Sequence, residues 1–371
     1  MTTAREPSHG GDRSEGDLGP ISVVVVNYNG AEHLPHCLAA LAKSTVVPDE
    51  LLVVDNASTD ASADLVHAEF PGARVIRLPR NEGPCPARNL GLSSARNPWV
   101  LLVDNDAALL PDTLARMVAA AVRERDAVLL QPRSVFASEP SRVHYDGGQF
   151  HYAGLFSLRN FFVPVDQAEG QGTLAVDGAV SVVLLARRDV LLGIGGFDPA
   201  FFILFEDLDL SLRLRSGGHR ILSVEDAIVH HRGGTPGISF RSGKEYPNRR
   251  AFLHARNRVL VLIKNYSWRT LFVAAPGLAL YEFAWCGFAL ASGTFFAHLR
   301  GKWALVGALP RALGQRRAIQ AARKVRDRDL LVGGPLTITP GLKSTGGRVR
   351  VLGALDRALR LWWRIARPFA G

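Results

Sequence analysis

Two carboxylates with one amide between them, Asp104-Asn105-Asp106, close the apolar run 99–103. Such acids repel each other unless a cation or a ligand's donors compensate them, so the pair reads as a divalent-metal and phosphate site. The competing reading is a solvated turn ahead of a helix after Pro111. Three more polar clusters follow apolar runs: Asn27-Tyr28-Asn29-Gly30, the stretch from Asp55 to Asp60, and Asn81-Glu82-Gly83. Farther on, Glu206, Asp207 and Asp209 fall within four residues, after an aromatic approach. Helix-dipole complementarity accounts for some of these acids, with Asp209 and Arg213 at i,i+4 spacing. It does not explain why an apolar run delivers three of them. His230 and His231 precede Arg232-Gly233-Gly234, where the glycines permit close backbone approach to a ligand.

The elements that must position these groups follow from periodicity. The apolar runs 21–26, 51–54 and 99–103 predict strands, the last buried on both faces, and 74–78 predicts a further strand. Leu34, Leu38 and Leu41 recur at helical spacing within 31–43, and 61–70 and 84–95 also read as helices. Strand and helix thus alternate four times, and right-handed crossovers make this an open, mostly parallel sheet. Ligands bind outside the carboxyl ends of such strands, so all four polar clusters share one edge. Residues 127–131 and 181–186 predict further strands, and 219–224 predicts an edge strand. Span 132–171, which holds His144, Tyr145, His151 and Tyr152, has no assignable pattern. Glu206 opens a helix that stops at Gly217-Gly218. Span 245–266 predicts a helix carrying Arg249, Arg250, Arg256 and Arg258, read as a solvated face in preference to a phosphate or headgroup contact.

With 371 residues, the chain can bury a sizeable core and form two or three units. Residues 298–371 hold sixteen Lys or Arg against three Asp; this +13 exceeds the chain's net +10 and leaves 1–297 at −3. Three scattered thiols, Cys37, Cys85 and Cys286, suggest a reducing compartment. Residues 1–20 are polar and Gly-rich with no apolar h-region, which reads as a disordered arm and not a secretory signal. Span 271–297 is nearly all apolar, with Glu282 near its middle and Pro276-Gly277 interrupting it. It reads as an apolar helical pair packed on, or dipped into, a membrane. Span 311–328 predicts a strongly basic helix. On a wheel of 350–369, Leu352, Leu355, Leu359, Trp362, Trp363 and Ala366 share one side; Arg350, Arg357, Arg360, Arg364 and Arg367 share the other. That pattern suits the interface of an anionic bilayer. A nucleic-acid tail would not need the apolar stripe, so nucleic acid is not an expected partner.

In order along the chain, VVVVNYNG, VVDNASTD, NEGPCPARN, LLVDND, GGFDPAFFILFEDLDLSLRLRSGG and VHHRGGT resemble family 2 glycosyltransferases of the GT-A fold over residues 21 to about 265. NYNG with DND is similar to bacterial rhamnosyltransferases that use a dTDP-sugar. The resemblance implies an α/β fold of the nucleotide-diphospho-sugar transferase type, its mostly parallel central sheet flanked by helices, to which the pattern of the last third adds C-terminal membrane-associating helices. It implies a nucleotide-sugar-binding half at 21–131 and an acceptor and catalytic half at 132–265, while residues 266–371 read from their own composition as a helical, basic, membrane-associating region. The activity implied is inverting and metal-dependent, moving a sugar, rhamnose from dTDP-rhamnose, to a lipid-linked or cell-envelope polysaccharide acceptor. The implied location is the cytoplasmic face of the cell membrane, with peripheral anchoring.

Carried over by position, the resemblance implies that Asp55 contacts the donor's base or ribose with Asn27 and Asn29 nearby. Asn81, Gly83 and Arg88 match the segment following the nucleotide, beside Asn89. Asp106 becomes the direct ligand of Mg²⁺ or Mn²⁺, with Asp104 in the metal motif near the ribose or sugar. His231 completes the metal and diphosphate site, with His230 as fallback. Asp207 matches the general base, with Glu206 and Asp209 on the acceptor side. Two departures concern the acceptor: Ser181 stands where a small Gly is common, and no Trp precedes it. The Gln-x-x-Arg-Trp signature of processive synthases is absent. Two rival readings are a sugar-phosphate nucleotidyltransferase, which would need a Gly-rich basic loop where Asn27 to Gly30 stand, and a catalytically silent membrane-bound glycan-binding or scaffold subunit.

Overall fold

The structure is a computed structural model, which describes residues 18–233, 238, 246–339 and 346–371. Most of the expected N-terminal arm, and Gly234 of the histidine motif, lie outside the described residues. The first half alternates β1 (Ile21–Asn27), α1 (Leu34–Ala42), β2 (Glu50–Asp55), α2 (Ser62–Glu69), β3 (Arg74–Arg77), α3 (Pro84–Ser94) and β4 (Trp99–Asp104). Strands β1 to β4 run parallel in the order β4-β1-β2-β3, as the crossover rule requires. Register then aligns the chemistry: Val26 pairs with Asp104, and Asn27 with Asp55. Side chains alternate between two cores. Val23, Val25, Val53 and Leu101 pack with Leu34 and Leu38 of α1, while Val24, Leu52, Val54 and Leu102 pack with Leu92 of α3.

Beyond β4 come β5 (Ala107–Leu109), α4 (Thr113–Arg123), β6 (Ala127–Phe136), β7 (Glu139–Tyr145), β8 (Gly148–His151), β9 (Leu155–Leu158), β10 (Thr173–Val176), β11 (Val183–Arg187), α5 (Arg188–Gly193), α6 (Glu206–Ser216) and β12 (Arg220–His231). The sheet continues β4-β11-β6-β12-β10, with β11 antiparallel to both neighbours. Two expectations change here. The strand expected at an edge is interior, because β12 continues to His231 and pairs with both β6 and β10. The span without an assignable pattern holds β7, β8 and β9, strands too short and irregular in alternation to show a period.

The last third comprises α7 (Asn248–Asn265), α8 (Trp268–Ala291), α9 (Phe295–Ala321), α10 (Asp327–Leu330), β13 (Leu331–Val332) and α11 (Gly346–Ala366). It folds back on the second half: β13 pairs with β8, and Trp363 stacks on Tyr152 at 4.7 Å between centroids. Where α7 meets α9, a Cβ at Gly301 would lie 2.4 Å from the Phe252 carbonyl oxygen, so only glycine allows this approach.

The basic readings of this region are corrected. Arg258 of α7 is buried; it donates to the Ala153 carbonyl and pairs with Glu282. Arg256 donates to the carbonyls of Ala200 and Phe201. The face expected to be solvated is therefore largely internal. The expected helix 311–328 is the end of α9, which stops at Ala321. Its Arg316 donates to the carbonyls of Ile263 and Tyr266, and Arg323 to that of Asn265. Both cap the C-terminus of α7, whose last carbonyls need donors once buried.

Half of the stripe expected on a bilayer is covered by protein, while Leu352 and Leu355 line a cavity. Leu359, Trp363 and Ala366 are buried, while Trp362 Nε1 donates to the Val273 carbonyl. A wheel shows that a helix has an apolar face, not what covers it. Exposed apolar groups occur instead on α8 and α9, including Phe272, Phe283, Phe296 and Trp303, each more than 70% exposed. Span 271–297 is the body of one 24-residue helix, a turn and the start of the next, not a helical pair. By length and composition α8 could cross a membrane.

Candidate active site

At the parallel edge, Asn27 ties the strand ends together. Its Nδ2 donates to Asp55 Oδ1 at 3.0 Å and to Ser62 Oγ at 2.8 Å, and its Oδ1 accepts from Asn105 Nδ2 at 2.8 Å. Asn27 and Asp55 are buried, and Asp55 also accepts from the Ser58 hydroxyl at 2.5 Å. Both fix the shape of the nucleotide edge from beneath. Asn29 is exposed there, with its Oδ1 accepting from the Thr59 N–H at 2.8 Å. Asn81 accepts from the Gly83 N–H at 2.9 Å and from Asn56 Nδ2 at 3.0 Å. Gly83 has φ +87°, and a Cβ on it would lie 2.8 Å from the Phe202 carbonyl oxygen. Asn56 had no assigned role, yet it also donates to the Gly83 carbonyl at 3.1 Å and so joins two strand ends. Asn89 brackets Phe197 through its N–H and carbonyl.

Arg88 links the two acidic groups. Its Nη2 donates to Asp104 Oδ1 at 2.7 Å and to the Ser181 carbonyl at 3.2 Å, and its Nη1 lies 3.6 Å from Glu206 Oε1. Burial works against the guanidinium's charge, but Asp104, Asp207 and Glu206 outweigh it and hold the group protonated. Burial raises the Asp104 carboxyl, with Arg88 opposing in part. Asp104 is therefore first of all the partner of Arg88.

Asp106 sits differently. Its Oδ2 lies 3.3 Å from His231 Nε2 and accepts from the Gly233 N–H at 2.9 Å. Burial would raise this carboxyl, but the hydrogen bonds from His231 and Gly233 hold it below the usual carboxylate range. His231 reaches Asp106 because β5 pairs with the end of β12, placing His231 opposite Ala107. His230 points away from that pair in the strand's alternation. On its far side, His231 Nδ1 lies 3.0 Å from Nδ1 of His144, whose ring stacks on it at 4.9 Å. His144, on β7, came from the unassigned span.

A carboxylate and an imidazole make a donor set that fits Mn²⁺ or Mg²⁺ completed by substrate phosphate oxygens. Asp106 and His231 would hold the ion. Asp104 does not converge with them, because its oxygen is committed to Arg88. Among the described residues, Glu282, Cys286 and His298 also cluster at ligand distance. There Glu282 already carries Lys302 at 2.6 Å and Arg258, which leaves little charge for a cation.

Glu206 and Asp207 open α6 beside Arg88. Burial and the adjacent Asp207 push the Glu206 carboxyl up to about 8. Burial also raises Asp207, opposed by Arg88 and by hydrogen bonds from the Ser181 hydroxyl and N–H. Asp207 Oδ1 and Glu206 Oε2 have no protein partner. The third acid is corrected: Asp209 is fully buried, 2.9 Å from both Lys264 Nζ and Arg213 Nε. Burial would raise it, but Lys264 and Arg213 bring it down to about 2. One helical step turns it from the acceptor side into the core.

The backbone entering α6 is strained. Phe202, Leu204 and Phe205 have φ of 62°, 69° and 73°. Asn257 of α7, fully buried, holds this loop: its Nδ2 lies 2.9, 3.0 and 2.8 Å from the carbonyl oxygens of Phe201, Ile203 and Leu204. Its place between two arginines gave no sequence signal of that task.

From Glu206 and Asp207 a cavity of about 1340 Å³ extends between α7, α8, residues 336–339 and α11. Residues 22–176 match the glycosyl transferase family 2 model. Residues 22–176 thus form a glycosyltransferase family 2 domain. Over 240 residues it is 29% identical to an N-acetylglucosaminyl-diphospho-decaprenol L-rhamnosyltransferase of Mycobacterium tuberculosis, covering 58% of this chain and 78% of that protein. Over 99 residues it is 38% identical to the succinoglycan biosynthesis protein ExoO of Rhizobium meliloti, covering 26% of this chain and 28% of that one. Among solved structures, GalNAc-T7 with UDP, GalNAc and Mn²⁺ superposes with a TM-score of 0.54 at 18% identity, over 70% of this chain and 51% of that chain. The glycosyltransferase fold is thus GT-A, and this glycosyltransferase transfers sugar from a nucleotide-sugar donor.

Proposed function

We propose that this glycosyltransferase moves L-rhamnose from dTDP-L-rhamnose, with inversion, to a hydroxyl of a lipid-linked cell-envelope acceptor at the cytoplasmic membrane face. The observation that carries the reading is the position of Asp207. One of its oxygens is unpartnered, it sits beside the Arg88–Asp104 pair, and it lines the acidic end of the apolar cavity. The sugar identity is drawn from the mycobacterial rhamnosyltransferase.

Asp207 accepts the acceptor's hydroxyl proton, a role favoured by a carboxyl raised toward the working pH; general bases of this kind contribute ~10²–10⁴-fold. Glu206, holding its proton, keeps a second negative charge away from the base. Direct attack without an enzyme nucleophile inverts the anomeric centre. Arg88 steadies Asp104 at the sugar end, and Asn27, Asp55 and Asn81 shape the nucleotide edge. A bound Mn²⁺ or Mg²⁺ would neutralise leaving-group charge on the diphosphate, held by Asp106 and His231. Residues 266–371, taken as the membrane-facing part, present exposed Phe272, Phe283, Phe296 and Trp303 together with the chain's excess positive charge.

Nucleoside diphosphate release, measured with Mn²⁺ across dTDP-, UDP- and GDP-sugars and a lipid-linked acceptor extract, tests this. Asp207→Asn is expected to lose at least ~10²-fold in transfer, and Asp106→Ala to lose metal-dependent turnover. Wild-type rates in both variants would overturn the assignment.

A further inference from the structure

The cavity beside the acids is built for a long apolar molecule. Its volume, about 1340 Å³, exceeds the 300–1,000 Å³ typical of small-molecule pockets. One wall is a continuous aromatic ladder. Phe205, which precedes Glu206, meets His254 edge-on at 5.3 Å; His254 stacks on Trp285 at 3.8 Å; Trp285 meets Phe288 at 5.0 Å. The ladder leads from the acids to α8, where the lining residue Phe283 is 80% exposed; across the cavity Val351 of α11 is 66% exposed. The cavity is therefore acidic at one end and reaches the apolar outer surface at the other.

Two features inside it indicate a polar group on the same ligand. His254 is 8% exposed, and its Nδ1 has no partner. Among the described lining residues, the cationic side chains are Arg250 and Arg348. An apolar chain carrying an anionic phosphate would use the ladder and these guanidinium groups together.

We propose that this cavity holds the hydrocarbon chain and phosphate of a phosphorylated lipid, placing the sugar attached to that phosphate against Asp207. This rests on the reading of Asp207 as the base facing the acceptor. Gly287 of α8 supplies the test, because it lines the cavity and a Cβ built on it meets no atom within 4 Å. Gly287→Phe would thus fill the channel without a clash at the point of substitution. Gly307 of α9 is equally open but lies outside the lining, so Gly307→Phe is the control.

Calorimetric binding of dodecyl phosphate, dodecanol and inorganic phosphate to the full-length protein would be compared across wild type and these variants, at lipid concentrations below micelle formation. Wild type and Gly307→Phe are expected to bind dodecyl phosphate saturably at one site, dodecanol more weakly and inorganic phosphate not measurably. Gly287→Phe should weaken dodecyl phosphate at least tenfold, as should Ala291→Phe, a second lining position that guards against misfolding of the first variant. Equal affinity in the filled variants, or equal loss in Gly307→Phe, would overturn the channel. Equal binding of phosphate alone would assign the site to free anion. Because no turnover is involved, lipid binding that survives in an Asp207→Asn variant without transfer separates this inference from the choice of base.

Discussion

Asn257→Ala probes how the acids are held. Residues in left-handed backbone cost of order 1–3 kcal/mol each, so Phe202, Leu204 and Phe205 together store about 3–9 kcal/mol. Asn257 has two N–H groups serving three carbonyls, and losing two hydrogen bonds removes ~1–3 kcal/mol net. Relief of backbone strain offsets that loss, so the midpoint of urea unfolding should shift by no more than about 1–2 kcal/mol in equivalent stability. The rate should suffer more. A displacement of about 1 Å at Asp207 costs ~10²-fold in kcat, while nucleoside diphosphate affinity, set at the strand ends, stays near wild type. Asn257→Asp separates donation from packing: it preserves size but turns a carboxylate toward carbonyl oxygens. Donation therefore predicts that Asp is worse than Ala, and packing predicts the reverse. Wild-type kcat in Asn257→Ala, or an Asp variant better than the Ala variant, would refute the reasoning.

Two other perturbations address the acid pair and the metal end. Glu206, at about 8 in the fold against 4.5 in the unfolded chain, keeps a proton that the unfolded chain has lost. Stability should therefore fall as pH rises through that window. Glu206→Gln should flatten the slope, leaving the share of Asp207, which burial also raises, so that the variant gains on wild type as pH rises in urea unfolding; parallel curves would exclude this. His144→Phe retains the ring stack but removes the partner of His231 Nδ1. Mn²⁺ affinity in the presence of nucleoside diphosphate, read from the paramagnetic resonance of free Mn²⁺, should fall ~10–100-fold. No change would mean that His231 is not held through that contact.

The nucleotide edge was legible in the sequence because β1, β2 and β4 announce themselves by largely apolar runs and deliver their polar residues at the same end. Position along the chain then translates into position in space, and register puts Asn27, Asp55 and Asp104 side by side. The acid group was legible in composition but not in direction, since only the packing of α6 on α7 separates Asp207 at the cavity from Asp209 against Lys264. Charges on α7 misled for a related reason. Arginine reads as solvated in sequence, yet Arg256 and Arg258 satisfy buried carbonyls, and a long side chain can do this from a position whose pattern looks exposed.

The family match ends at Val176, before Ser181, Glu206, Asp207 and every cavity-forming segment of the last third. Likeness to other family 2 enzymes therefore bears on the nucleotide edge and says little about the acceptor. The acceptor side is built by return of the chain: β13 joins β8, and residues 336–339 and α11 face α8 across the cavity. The mouth of that cavity and the exposed apolar groups of α8 lie on the same helix, so the surface that would meet lipid is continuous with the one that would admit it. Two chains with the same strand-end residues could thus take the same donor and differ in acceptor through α8 and α11 alone.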